Sequence, residues 1–144
     1  LAISHGKVLP HLGNKEKMEV SREIKALAER VIQLDPQNDL AWHVLGRWHV
    51  VLADIGAIRR ALARVIYGGV PKATNEDAVR CFRKAMALNP TRLMHYIELG
   101  RTYEQMGDKE QARKYLKQGL AMPNTEKDDN ETKAKGREIL AKLR

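Results

Sequence analysis

The stretch LAWHVLGRWH at residues 40–49 decides the fold, because its spacing of large and small residues returns in MHYIELGRTY at residues 94–103. In each copy an aromatic residue is followed by Leu-Gly and then by a second ring, and a proline lies six residues before the first ring. The equivalent residues are Trp42, Leu45, Gly46 and His49 in the first copy, and Tyr96, Leu99, Gly100 and Tyr103 in the second. A pattern that returns in this way is typical of a repeat protein.

A second pattern follows each copy and predicts the partner helix of a pair. It consists of a small residue, a large apolar residue, a second small residue and a proline. Small residues let two helices approach closely, and the large apolar residue fills the space between them. The two clear examples are Ala78, Phe82, Ala85 and Pro90, and then Ala112, Leu116, Gly119 and Pro123, while Ile24, Ala28, Val31 and Pro36 form a weaker one. Residues 1–144 are therefore predicted to be one all-α domain, a tetratricopeptide-like helical repeat superhelix.

Capping residues divide the chain into about eight expected helices. Asn38, Thr74, Thr91, Asp108 and Thr125 stand where a helix is expected to begin, and Gly107 stands where one is expected to end. The expected spans are Lys15 to Leu34, Asp39 to Ala53, Glu76 to Leu88, Arg92 to Gln105, Lys109 to Ala121 and Thr125 to Leu143. The charged segment 125–144 is expected to be a C-terminal capping helix, since a terminal repeat needs a polar outer face.

The middle repeat is longer than its neighbour. Twelve residues separate Gly100 from Ala112, whereas 32 separate Gly46 from Ala78. An insertion at residues 50–72 therefore extends this repeat. Within it, residues 57–67 predict a short basic amphipathic helix whose apolar face excludes Arg59, Arg60 and Arg64.

The net charge of +8 is concentrated in residues 36–123, which carry fourteen basic and eight acidic side chains. A basic centre indicates an acidic partner, such as an acidic protein segment, an anionic phospholipid surface or a nucleic acid. Nucleic acid is the least favoured of these, because no DNA- or RNA-binding motif is present. The sequence contains no catalytic motif and a single cysteine, Cys81, so neither an enzyme nor a cofactor or metal site is expected. No stretch approaches the length of a membrane-spanning helix.

The first helix of each pair is expected to line a concave groove. Arg47 and Arg101 occupy equivalent places on it, and two guanidinium groups suit carboxylates or a phosphate. The alternative is that each arginine pairs with a nearby acid, Glu98 or Glu104, and only keeps the groove soluble. The expected groove consists of Leu40, His43, Arg47, Val50, Met94, Ile97, Glu98, Arg101 and Gln105.

Several stretches resemble the regulator of microtubule dynamics family, whose members are tetratricopeptide-like proteins with an enlarged repeat. They are Leu45-Gly46-Arg47-Trp48, the insertion around Ile58-Arg59-Arg60, residues 78–90 and residues 107–123. The resemblance implies a binding or tethering role near microtubules or at organelle contacts. It also implies an intracellular, cytoplasmic location. Because the chain opens at Leu1 without Met, it is expected to be a fragment of a longer protein.

Two functions remain open at this stage. The first is a non-catalytic scaffold that binds an acidic protein segment in its groove, and the resemblance implies tubulin as the candidate partner. The second is a phospholipid-binding or contact-site tethering module that uses the basic inserted helix or an apolar cavity.

Overall fold

The computed structural model describes residues 14–54 and 72–143, and within these ranges the chain forms six α-helices and no β-strand. This arrangement confirms the all-α prediction. The other expected helices, including residues 57–67 of the insertion, lie outside the described residues. The six helices are α1 (Asn14–Leu34), α2 (Asp39–Ala53), α3 (Asn75–Leu88), α4 (Leu93–Met106), α5 (Lys109–Ala121) and α6 (Asp129–Lys142).

Three of the expected helix caps are confirmed by hydrogen bonds. The side chain of Asn38 accepts a hydrogen bond from the backbone N–H of Ala41 at the start of α2. Thr74 and Asp108 cap α3 and α5 in the same way, through the backbone N–H groups three residues ahead. Each cap satisfies a backbone donor that has no partner within the first helical turn. Gly107 ends α4 with a φ of 85°, a left-handed conformation that favours glycine.

One expected helix cap and one expected helix start are wrong. Helix α4 begins at Leu93 without a side-chain cap, because the hydroxyl of Thr91 accepts a hydrogen bond from the side-chain amide of Asn89 at 3.0 Å instead. Helix α6 begins at Asp129 rather than near Thr125. The buried carboxylate of Asp129 accepts hydrogen bonds from the backbone N–H groups of Thr125 and Glu126, at 2.7 and 2.8 Å. Those bonds hold the segment before α6 in a turn.

The helices of each pair cross at a glycine, as the repeat pattern predicts. A β-carbon added to Gly46 would lie 2.8 Å from Cε1 of Phe82, and one added to Gly100 would lie 2.7 Å from Cγ of Leu116. Both separations are shorter than real contacts of a β-carbon, and Phe82 and Leu116 are fully buried. The same crossing is thus built twice, between α2 and α3 and between α4 and α5.

A further equivalence appears at the start of each pair. Trp42 donates from Nε1 to the carbonyl oxygen of Pro36 at 3.1 Å, and Tyr96 donates from its hydroxyl to the carbonyl oxygen of Pro90 at 2.8 Å. In both repeats the first ring therefore ties its helix to the preceding proline turn. The aromatic residue and the proline are thus arranged in the same way in both repeats, which supports the repeat register.

Helix α6 packs against α4 and α5. Leu143 is buried in the main core, with Ile139 and Leu140 half-buried beside it. Most other side chains of α6 are exposed. This arrangement is compatible with a capping helix, and that role stays a prediction. The boundaries of one domain over residues 1–144 and of an insertion at residues 50–72 also stay predictions, because residues 55–71 lie outside the described ranges.

Replacing Gly100 with Leu is expected to destabilise the fold. The new side chain must displace Leu116, which costs about 1–3 kcal/mol, while the better helix propensity offsets at most about 1 kcal/mol. Urea unfolding measures the change. Ala134→Leu on the exposed face of α6 is the matched control and should have little effect. Equal stability of Gly100→Leu and the wild type would show that the helices do not cross at this glycine.

Candidate functional site

The exposed face of α2 and α4 carries two equivalent arginines. Arg47 follows Gly46 and Arg101 follows Gly100, so each leaves its helix directly beside a close helix crossing. Arg47 is exposed, whereas 35% of the Arg101 side chain is exposed. Because the two crossings are equivalent, the two arginines stand at corresponding backbone positions. We call the surface around Arg47 and Arg101 the arginine face.

Three residues expected in the groove are buried instead, so their prediction as groove-lining side chains is wrong. Val50 is fully buried in the main core, and Ile97, at 2% exposure, fills the space beside Gly119 and Gly136. His43, at 6% exposure, packs edge-on against Phe82. Neighbouring helices cover this part of the face.

The remaining expected groove residues are only partly exposed. Leu40, Met94 and Glu98 are half-buried on α2 and α4. Gln105 is also half-buried, and its amide donates to the carbonyl oxygen of Val50 and to Asn75 Oδ1, at 2.8 and 2.7 Å. Gln105 therefore connects α4 to α2 and to the start of α3. Whether these residues contact a partner stays a prediction.

The two arginines differ in their local partners. Arg101 Nη1 lies 3.4 Å from Oε2 of Glu98, one turn earlier on the same helix. Local pairing, the alternative weighed from the sequence, thus applies to Arg101. Arg47 forms no ion pair with any residue that the structure describes. Arg47 is therefore the less compensated cation of the arginine face.

Arg59, Arg60 and Arg64 of the expected basic inserted helix lie outside the described residues. The expected helix at residues 57–67 and its contribution to binding stay predictions.

A buried polar chain beneath the arginine face was missed by the sequence analysis. His43 Nδ1 lies 2.9 Å from His95 Nδ1, and His95 Nε2 lies 2.7 Å from Asp39 Oδ2. Arg92 continues the chain, with Nε 2.8 Å from the same carboxylate oxygen and Nη1 on Glu126. The chain connects α2, the start of α4 and the turn before α6. The sequence contained one signal of this contact, because both histidines lie on the first helices of neighbouring pairs.

The carboxylate fixes the roles of the two imidazoles. Asp39 accepts a hydrogen bond, so His95 Nε2 carries the proton, and the Nδ1 of a neutral His95 must then accept from His43 Nδ1–H. Burial lowers the pKa of His43 well below its usual value, and electrostatic interactions with His95, Arg47 and Arg92 lower it further. Burial also lowers the pKa of His95, although its hydrogen bond to Asp39 opposes this shift. Both rings are therefore neutral at pH 7, and the chain is a structural link between repeats.

Two features are absent from the residues that the structure describes. Across 14–54 and 72–143, no group of three or more His, Cys, Asp or Glu side chains is arranged to hold a metal ion. None of the six helices is both long and apolar enough to cross a membrane.

Comparison with known families gives a match over the whole chain. A family model described as "Regulator of microtubule dynamics protein 1-3" matches residues 1–144. The chain is 27% identical to Regulator of microtubule dynamics protein 1 of Caenorhabditis elegans over 98% of its own length and 62% of that protein. It is also 27% identical to the protein of the same name from Mus musculus, over 99% of its own length and 47% of that protein. The chain thus spans about half to three fifths of these relatives. These matches confirm the resemblance noted in the sequence.

Solved structures of MamA share the fold. A crystal structure of MamA protein matches with a TM-score of 0.54 and 15% identity, covering 99% of this chain and 74% of that chain. A second MamA structure matches with a TM-score of 0.50 and 15% identity, covering 84% of that chain. At this identity the likeness concerns the fold alone. It confirms the tetratricopeptide-like helical repeat.

The buried histidines predict a loss of stability in mild acid. The unfolded chain binds protons on His43 near pH 6.5, whereas the folded chain binds them only at lower pH, so the free energy of unfolding falls as pH drops below about 6.5. One histidine that stays neutral when folded contributes up to about 1.4 kcal/mol of this loss between pH 7.5 and 5.5. Urea unfolding of the wild type and His43→Asn at both pH values measures it, and the loss should be smaller in the variant.

Tyr96→Phe is the control for that comparison. It removes a hydrogen bond, and Tyr96 does not titrate in this range, because burial raises its pKa above the ordinary tyrosine value. The Tyr96→Phe variant should therefore be less stable than the wild type at both pH values. Its free energy of unfolding should depend on pH as that of the wild type does. The same acid loss in His43→Asn as in the wild type would contradict the assignment of a neutral, buried His43.

Proposed function

The chain belongs to the regulator of microtubule dynamics protein 1-3 family, and from this premise we propose that it is a non-catalytic scaffold that binds an acidic segment of a protein partner. The names of its relatives concern microtubules, so tubulin is the candidate partner. A helical repeat fold, which presents an extended surface to a peptide or protein, supports this function. A partner of this kind would place the chain in the cytoplasm, on microtubules or on the surface of an organelle.

The proposal depends mainly on the exposure of Arg47 and on its lack of an acidic partner among the described residues. Its guanidinium group is exposed and has no acidic partner in the described part of the chain, and it occupies the same repeat position as Arg101. A planar guanidinium offers two parallel donors to one carboxylate. Arg47 and Arg101 can therefore bind two carboxylates of one acidic segment that runs along α2 and α4.

The exposure of the two arginines sets the expected strength of binding. An exposed ion pair between an arginine and a carboxylate contributes only about 0.2–1 kcal/mol. An incoming carboxylate must also compete with Glu98 for Arg101, whereas Arg47 is open. Several weak pairs rather than one dominant residue would then hold the acidic segment, and Arg47 would contribute more than Arg101.

The second candidate function is phospholipid binding or organelle tethering. It depends on Arg59, Arg60 and Arg64, which lie outside the described residues, so no contact in the structure favours it. Binding to anionic liposomes distinguishes this function from the scaffold.

Charge reversal on the arginine face is expected to weaken microtubule binding. Arg47→Glu should weaken it several-fold and Arg101→Glu less, and the double variant should weaken it about tenfold or more, because each replaces attraction by repulsion. Arg137→Glu, at an exposed position of α6, makes the same change in net charge as either single variant and is their matched control. Co-sedimentation with microtubules and with anionic liposomes, at about 0.01 M and 0.15 M salt, measures both partners under weak and strong screening.

Circular dichroism must show that each variant keeps its helices. If the folded double variant co-sediments with microtubules as well as the wild type does, the arginine face takes no part in binding. Binding of the wild type to liposomes but not to microtubules would favour the phospholipid function instead.

A further inference from the structure

A cleft of about 930 Å³ lies between α1 and α3, with α2 as its floor. Trp42, Leu45 and Cys81 give it an apolar base, and Lys25 and Lys84 stand on opposite sides of it. None of the expected groove residues lines this cleft. It is thus a surface separate from the arginine face, on which the proposed function rests.

The next repeat shows what fills the corresponding gap. Between α3 and α5, the rings of Tyr103 and Tyr115 stack with their centroids 5.7 Å apart. Arg83 covers this pair, because its Nη2 donates to the hydroxyl of Tyr103 at 2.7 Å and its guanidinium lies 5.6 Å from the centroid of Tyr115. Two aromatic rings and a cation therefore close this second gap.

The first gap lacks one of these rings. His49 follows Gly46 by three residues, as Tyr103 follows Gly100, and Cys81 precedes Phe82 as Tyr115 precedes Leu116. A cysteine thus stands where the second repeat has a tyrosine. Cys81 is itself buried and packs with Leu45 and Ala28. Because its side chain is much smaller than a phenol ring, the α1–α3 cleft lies above it, at the place that Tyr115 fills in the next repeat.

The base of the cleft is uncharged at neutral pH. Burial raises the pKa of the Cys81 thiol to about 11, although Arg80 opposes the shift. Burial also lowers the pKa of His49, as do the charges of Lys25 and Arg80. A thiol, a neutral imidazole and the indole of Trp42 can all contact an aromatic ring without desolvating a charge.

The rim of the cleft is basic. Its two acids are already paired, Glu29 with Lys25 at 3.9 Å and Asp77 with Arg80. Two further cations, Lys72 and Lys84, border the cleft, and neither has an acidic partner within the described ranges. Arg83 also borders the cleft, but its guanidinium contacts Tyr103 and Tyr115. The surplus of positive charge is complementary to carboxylates on either side of an inserted ring.

We propose that the α1–α3 cleft binds an acidic peptide segment through one aromatic side chain, which takes the position that Tyr115 occupies in the next repeat. The ring contacts Trp42, Leu45 and Cys81, and flanking carboxylates of the peptide face Lys72 and Lys84. The basic rim selects an acidic segment over a neutral one, and the open base selects an aromatic residue over a small one.

The test uses two fluorescein-labelled peptides, Glu-Glu-Phe-Glu-Glu and Glu-Glu-Ala-Glu-Glu, and fluorescence anisotropy with the full chain. The phenylalanine peptide should bind about tenfold more tightly than the alanine peptide, which corresponds to about 1.4 kcal/mol. Cys81→Tyr supplies the missing ring from within the chain. In this variant the affinity for the phenylalanine peptide should fall to that for the alanine peptide.

Two further variants make the result specific to the cleft. Lys84→Glu should weaken both peptides and leave their ratio unchanged, and it provides a second test if Cys81→Tyr does not fold. Arg137→Glu on α6 makes the same change in net charge as Lys84→Glu, away from both proposed surfaces, and should leave the ratio of the two peptides at about ten. The peptide ratio tests the cleft and microtubule binding tests the arginine face, so failure of the proposed function and failure of the cleft are distinguishable.

Three results would overturn the proposal. The first is equal binding of the two peptides to the wild type, and the second is unchanged binding of the phenylalanine peptide to a folded Cys81→Tyr variant. The third is concentration-dependent dimerisation that Cys81→Tyr abolishes, with neither peptide bound, because the cleft would then belong to a second copy of the chain.

Discussion

Phe82 and Leu116 pack against backbone where Gly46 and Gly100 have no β-carbon, and this close approach sets the geometry of both helix pairs. The side chain that follows each glycine leaves the helix in a corresponding direction, so Arg47 and Arg101 are positioned by packing rather than by contacts of their own. The proposed binding surface thus depends on two apolar contacts in the core. A substitution at Gly46 or Gly100 would therefore shift the arginine that follows it, without contact between the new side chain and the guanidinium group.

The buried polar chain connects the first repeat with the second. Apolar packing orders each helix pair, while Asp39, His95 and His43 join the first helices of the two pairs, and Arg92 extends the link to Glu126. Neutral imidazoles can lie in the interior because each hydrogen bond has a donor and an acceptor. The link is therefore complete at neutral pH and is weakened in acid, when protonation would place charge next to Arg47 and Arg92.

Sequence reasoning predicted what depends on local pattern. Helix caps at Asn38, Thr74 and Asp108 and the crossings at both glycines depend on residues at fixed spacing, and they are confirmed. The start of α6 was wrong, because the carboxylate of Asp129 reaches back to the backbone of the preceding turn.

The candidate site was harder to predict than the fold. Projecting one face of an isolated helix cannot show which neighbours cover it, so Val50, Ile97 and His43 were expected on a surface and lie in the interior. The pairing of His43 with His95 depends on the approach of two helices that are far apart in sequence. The cleft next to Cys81 becomes visible only when the contacts of Tyr103 and Tyr115 in the second repeat are compared with it.

The central claim is that acidic segments bind along the arginine face, and amide nuclear magnetic resonance of the isotope-labelled chain tests it directly. The titrant is a polyglutamate peptide, which has no aromatic ring for the α1–α3 cleft. The account predicts saturable shifts that are largest in α2 and α4 around Arg47 and Arg101. Shifts confined to α1 or α6, or no saturable shifts at all, would contradict it.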